Sequence, residues 1–203
     1  WFANTAARKS RQNTDGAINR FVNSNGIEKT FENRTVDQDA SKNVSLQAGA
    51  DFYMNKKSTV GFLIKGNEYW SQLYTPGTTL IKTNNSTDSS LSTVNDNRQR
   101  NSRYNYNLNY KYEDSTGELL NIDADYTRFT NTNTTELGTA YLNKTGATYN
   151  YTANTLDVAT RINVYALKAD YTKPFKQAQA KLETGVKLAT VNTFNDLEAK
   201  LLN

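Results

Sequence analysis

The chain has 203 residues, enough for one domain, and a modest net charge of +4. It contains no His and no Cys, which removes imidazole general bases, Ser-His-Asp and Cys-His nucleophiles, thiolate metal sites and disulfides. Asn and Thr supply 27 residues each. Both disfavour helix interiors, and the 11% aromatic content is more than a disordered chain carries, so an all-β fold is expected.

In chain order, Trp1–Ser41 is the least patterned stretch, with a loop near Val22–Gly26 and a polar strand from Ile27 onwards. Strict alternation begins at Val44. Val44, Leu46, Ala48, Ala50, Phe52 and Met54 share one face, and Ser45, Gln47, Gly49, Asp51 and Tyr53 the other. A short turn at 55–58 leads into Val60, Phe62 and Ile64. After a polar stretch the pattern resumes with Tyr104, Tyr106, Leu108, Tyr110 and Tyr112, spaced by Asn105, Asn107, Asn109 and Lys111. A turn at 113–117 precedes Leu120, Ile122, Ala124 and Tyr126, spaced by Asn121, Asp123 and Asp125. The last unit carries Tyr165, Leu167, Ala169 and Tyr171, a turn at 172–175, then Ala178, Ala180, Leu182, Val186 and Leu188, with Thr184 the polar exception. Period 2 in six windows predicts strands with one apolar and one polar face.

The turns recur about every 59 residues, a weak repeat of hairpin units. Long polar loops are expected near 71–100, containing Thr75-Pro76-Gly77, and near 131–160, containing Asn143–Gly146. The resulting architecture is an antiparallel up-and-down meander of about six or seven long strands. Its apolar face must meet either a second sheet or lipid. Aromatic residues gather at the short turns (Phe52 and Tyr53, Tyr110 and Tyr112, Tyr171 and Phe175), as in the girdles of membrane barrels. The loops are uneven, short on one side and long on the other, and the polar face is built of Asp, Lys, Gln and Asn, as a watery lumen requires. No run approaches the length of a transmembrane helix. Seven strands fall short of a single-chain barrel and an open sheet edge is not tolerated in lipid, so residues 1–203 are expected to form part of a larger transmembrane β-barrel domain.

Three hairpins resemble a known family. Leu46–Gly61 (LQAGADFYMNKKSTVG) is similar to the G-x-D-Y-x-x-N-K-K-x-T-x-G hairpin of TonB-dependent-receptor-like outer-membrane β-barrel proteins. Asn107–Tyr112 with Gly117–Tyr126, and Tyr165–Pro174 with Lys181–Lys187, resemble the hairpins that follow. The resemblance spans roughly residues 40–190. It implies a cell outer membrane location and a large barrel with a plug domain, energised through TonB for uptake of a nutrient. Neither a plug nor a TonB box is found here.

Candidate sites are sparse. Asp123 and Asp125 could form an acid/base or calcium pair, but same-face carboxylates are more often lumen decoration. Arg98, Arg100 and Arg103, with Arg8, Lys9 and Arg11, form basic patches expected in loops, where they could touch lipopolysaccharide or an acidic ligand or simply be solvated. Nucleic acid is not expected as a partner, since 24 basic residues are interleaved with 20 acidic ones and no folded reading motif is present. No catalytic, cofactor or metal site is assigned and enzymatic activity is not expected. Ligand contact is expected in the two long loops. The alternative to the barrel is a soluble secreted β-sandwich or adhesin-like binding module, which would pair its apolar faces within the chain. A second alternative is a structural or passively permeable barrel.

Overall fold

The computed structural model describes residues 1–202, those at 24 and 202 by backbone alone. Seven strands follow one another in a single sheet of order β1 to β7, each antiparallel to the next. They are β1 (Phe2–Ser24), β2 (Ile27–Tyr53), β3 (Ser58–Thr83), β4 (Ser86–Glu113), β5 (Leu119–Asn143), β6 (Thr148–Phe175) and β7 (Ala180–Leu202). The expected meander is therefore present. Among the described residues no second sheet packs on it and no apolar residue is buried. A sandwich hides its apolar faces against each other, and this chain leaves them open.

The strands are 23 to 28 residues long, which corrects the expected loops. Apart from short turns at 84–85 and 144–147, residues 71–100 and 131–160 are strand: Gln72 faces Arg98 and Thr132 faces Ala159 in continuous ladders. Both faces are polar there, for example Gln72, Arg98 and Thr134 on one and Ser71, Gln99 and Asn133 on the other. Alternation of hydropathy therefore vanishes while the backbone stays extended. Pro76 also sits inside β3. It faces Val94 on β4, while the β2–β3 ladder lapses between Thr35–Gly77 and Gln38–Tyr74, where an N–H is missing.

All connections are short. Asn25-Gly26 and Asn84-Asn85 turn with positive φ at both positions (53° and 77°; 46° and 68°), the mirror-image geometry that suits the strand twist. The first two short turns fall within a residue of their expected places, at 54–57 and 114–118. The third is displaced: residues 172–175 extend β6, and the chain turns at 176–179 through a 3₁₀ turn ending at Gln179 with φ 48°. Met54 and Ala178, read as strand positions, lie in turns.

Two turns share one construction. The Asp114 carboxylate accepts from the N–H groups of Thr116 (2.9 Å) and Glu118 (3.1 Å), and the Asn143 side-chain oxygen accepts from those of Thr145 (3.0 Å) and Ala147 (3.0 Å). Gly117 and Gly146 provide the positive φ (90° and 82°). The hydroxyl of Thr116 is the main influence holding the Asp114 carboxyl below its ordinary value; desolvation comes next and opposes it, and the Thr116 and Glu118 N–H groups and the charge of Lys57 assist the lowering.

Candidate functional site

The functional surfaces of this chain are the two faces of its sheet. The register gathers the six alternating windows onto one of them. Ala50, Phe62, Leu108, Ala124, Leu167 and Leu188 form a single row across β2 to β7. The row nearer the short turns holds Phe52, Val60, Tyr110, Ile122, Ala169 and Val186. The row on the other side holds Ala48, Ile64, Tyr106, Tyr126, Tyr165 and Thr190. The face is exposed, with Leu108 at 56% and Leu188 at 64%.

The stagger of the turns sets the lean of these strands. The β2–β3 turn closes on Tyr53–Thr59, and Thr59 faces Lys111; β4 then runs two residues further, to Glu113. Leu119 pairs Glu113 and faces Thr172, and β6 runs three residues further, to Phe175. At the opposite end, Thr83 faces Lys29, two residues short of the start of β2 at Ile27. Asn143 lies level with Ser89 and Ile81, two residues below Thr83. Both margins thus descend in one direction, by four to five residues over four strands. At about 3.3 Å per residue and 4.8 Å between strands, a level line of turns requires the strands to lean about 35–41°. Membrane barrels lean about 35–45°.

The apolar band obeys the same slope. The first outward charge met on leaving it is Lys42 on β2, Glu68 on β3 and Arg128 on β5. Glu68 pairs with Val44, two residues below Lys42, and Arg128 shares the row of Tyr104, Gly66 and Leu46, four below. On these three strands the boundary of the band therefore runs parallel to the line of turns, while on β4 and β6 the first outward charges, Arg100 and Arg161, stand about two to three residues above it. Between these limits lie nine to eleven residues on β2, β3 and β5, about 25 Å of height at this lean, the depth of a barrel's lipid-facing band. Aromatic rings mark both margins. Phe52, Tyr110, Tyr112 and Tyr171 stand near the short turns. At the other margin Tyr126 stacks between Tyr106 (6.0 Å) and Tyr165 (4.9 Å), and Tyr104 covers Gly66, whose Cβ would lie 3.4 Å from its ring.

The opposite face is polar and more covered. Amides and hydroxyls bridge its strands: Asn67 donates to Asn43 (2.9 Å), Asn97 to Asn133 (2.9 Å) and Thr135 (2.7 Å), Asn105 to Thr127 (2.9 Å) and Asn107 to Asp125 (2.9 Å). Asn131 donates to Asn101 in the same manner. This is the place of much of the Asn and Thr that dominates the composition, and a watered inner wall is the environment that allows it. Asp123 and Asp125 stand on this face with separate partners: Asp123 is level with Asn109 and Lys168, while Asp125 accepts from Asn107. That is a structural arrangement of two carboxylates rather than a shared proton site.

The basic residues expected in loops lie in strands and divide between the faces. Lys9, Arg11, Arg98 and Arg100 share the apolar band's face, beyond its margin; Arg8 and Arg103 are on the polar face. Sequence reading missed Lys42, Arg128 and Arg161 on the outward side. Their parity with Leu46, Ala124 and Leu167 would have shown it once the strands were extended upward.

About ten residues of a leaning strand cross a bilayer, so each strand here continues for some fifteen residues beyond the band. The wall that stands clear of lipid is built from the stretches read as loops.

A family match over part of the chain agrees with this geometry. Residues 111–203, from the end of β4 through β7, match the family described as outer membrane protein beta-barrel family. No curated protein matches the chain. Two solved structures of in-vitro folded OmpT, an outer membrane protein of Vibrio cholerae, align over 98% of this chain, one of them the trimer form. They cover 98% and 99% of their own chains at 9% and 10% identity, with TM-scores of 0.12 and 0.13, too low for the superposition to support any argument. The all-β meander and the family match make this an outer-membrane β-barrel chain, located in the outer membrane.

Proposed function

We propose that these seven strands are one sector of the wall of a large barrel whose full-length form imports a nutrient through the outer membrane with energy delivered by TonB. The observation that carries this reading is the combination of a 25 Å lipid band with a much taller polar wall above it. A passive pore needs only the band, whereas a capture vestibule needs the height. Strands β1 and β7 do not pair with each other, and lipid does not tolerate their unpaired edges, so the wall continues on both sides, in further strands or in other copies. The resemblance of Leu46–Gly61 and the two later hairpins to TonB-dependent-receptor-like proteins supports energised uptake and a plug domain as partner. The amide-rich inner wall favours a hydroxylated or amide-bearing cargo, an oligosaccharide or a peptide, over a metal chelate. The chain's part in this is binding and passage, without catalysis.

The test is uptake by cells that carry the full-length protein, supplied with fluorescent oligosaccharide and peptide pools. Accumulation should stop when a protonophore collapses the inner-membrane gradient and should require TonB. Accumulation that persists with the protonophore present would mean a passively permeable barrel instead. Absence of protein-dependent uptake of either pool would reject the importer reading.

A further inference from the structure

Just beyond the apolar band, the outward face changes from aliphatic to cationic. Corrected for the lean of the strands, Lys9, Arg11, Lys42 and Arg128 lie within about two residues of one level, with Glu68 the single acid among them, and Arg100, Arg161 and Arg98 extend this belt about two to five residues above it. The outward carboxylates Asp15, Asp96, Glu136 and Asp157 all stand higher. Two members of the belt are already neutralised: Arg100 pairs with Glu68 at 3.2 Å, and Arg98 with Asp96 and with Glu136 at 3.8 Å. Lys9, Arg11, Lys42, Arg128 and Arg161 take part in no ion pair among the described residues.

Two of those five are placed against each other. Lys9 faces Lys42 directly across the β1–β2 ladder, and both point outward. Like charges in that position destabilise a sheet unless an anion sits between them. The row continues into Trp70, which faces Lys42, and Arg100, whose guanidinium lies 5.7 Å from the Trp70 ring centre. A shallow groove of about 650 Å³ runs past Lys42, Trp70, Gln72, Arg98 and Arg100.

We infer that this belt binds the phosphate groups of an anionic lipid whose acyl chains lie against the apolar band beneath it, with Lys9 and Lys42 bridged by one phosphate. The charge and its position identify the occupant. A soluble anion would be served equally by cations at any height or on either face, whereas these are outward and stop at the margin of the hydrocarbon. Trp70 and Tyr104, level with them, occupy the headgroup layer that amphipathic rings prefer. A phosphorylated glycolipid of the outer leaflet has the matching chemistry. The inference rests on which face is turned to lipid and is independent of what the barrel imports.

The test places the full-length protein in nanodiscs of phosphatidylcholine, with or without diphosphorylated lipid A, and compares the wild type with K42Q, the pair K9Q/K42Q and an inner-face control, K65Q/R103Q. Retention of lipid A is read by native mass spectrometry. A basic residue near a membrane surface contributes enough to change lipid affinity about fivefold, so the outer pair should lose retention by roughly 25-fold and the inner pair should be unaffected. The stability readout should reverse sign with the lipid. In phosphatidylcholine alone K42Q removes a repulsion and leaves the urea midpoint unchanged or raised; with lipid A present it lowers it. A structural lysine would give one sign in both. Equal retention by the wild type and K9Q/K42Q would overturn the inference, as would equal losses in the inner and outer pairs. Displacement of lipid A by millimolar inorganic phosphate would show a phosphate site rather than a lipid-docking surface and would also overturn it.

Discussion

Arginine at position 108 gives the most direct measure of which side of the sheet meets lipid. Leu108 lies in the row Ala50–Phe62–Leu108–Ala124–Leu167–Leu188, near the middle of a band that ends at the short turns below and at Lys42, Glu68 and Arg128 above. Its side chain is 56% exposed and touches no second layer. A guanidinium there must be carried to mid-bilayer, at a cost of about 2–4 kcal/mol, which lowers the folded-to-unfolded ratio about 30- to 700-fold. One residue along, Asn109 points to the opposite face, in a row with Asp51 and Asp123, and Asn109→Arg meets water and two carboxylates. It should be neutral within about 0.5 kcal/mol. At Tyr104, on the margin, the same change should cost about 0–1 kcal/mol. The assay is a urea titration of the full-length barrel in phospholipid vesicles, followed by tryptophan fluorescence. Equal costs at 108 and 109, or a greater cost at 109, would refute the assigned facing. A cost at 104 equal to that at 108 would refute the placement of the margin.

Removing the ring at Tyr126 should cost about 1–3 kcal/mol, because it ends two stacked pairs worth about 0.5–1.5 kcal/mol each beyond area. Tyr126→Phe should retain most of that and lose only the hydroxyl donated to Asn163 (3.0 Å), so a Phe variant as damaged as the Ala variant in the same titration would reject stacking as the cause. The turn at Asp114 should respond to acid. Its folded pKa is depressed below the ordinary 3.8, so its stabilisation is fully present above that value and is lost as pH falls through the lower, folded pKa. Amide-exchange protection at Thr116 and Glu118 should drop over that range while Thr145 and Ala147, held by the uncharged Asn143, serve as an internal control. Asp114→Asn should abolish the step; a step that survives it would assign the titration to another group.

The lipid-facing hairpins were legible because lipid imposes a repeating demand on alternate residues. Val44–Phe52, Tyr104–Tyr112 and Leu120–Tyr126 show it in the sequence alone. The taller wall was not legible in the same way, because neither face of Gln72, Gln99 or Thr132 meets hydrocarbon and no period remains. The signal that was available lay in turn chemistry: Asn25-Gly26 and Asn84-Asn85 are two-residue turns that join strands directly, which leaves no room for a long loop between 71 and 100. The third short turn was misplaced because Pro174 suggested a break, yet at β6 it pairs with Lys181 close to the strand's end, where a missing N–H costs little.

The alternation of residues determined by itself that this chain forms strands with an apolar face, since side chains alternate with period 2 whatever the partners. Absence of His and Cys likewise closed off whole classes of chemistry without reference to shape. The register between strands was decided only in the tertiary structure. It brought Lys9 opposite Lys42, put Arg100 outward and Arg103 inward, and stepped the turns so that the band of lipid contact became level. Those relations join residues from different strands, and local sequence carries no information about how far one strand slides along the next.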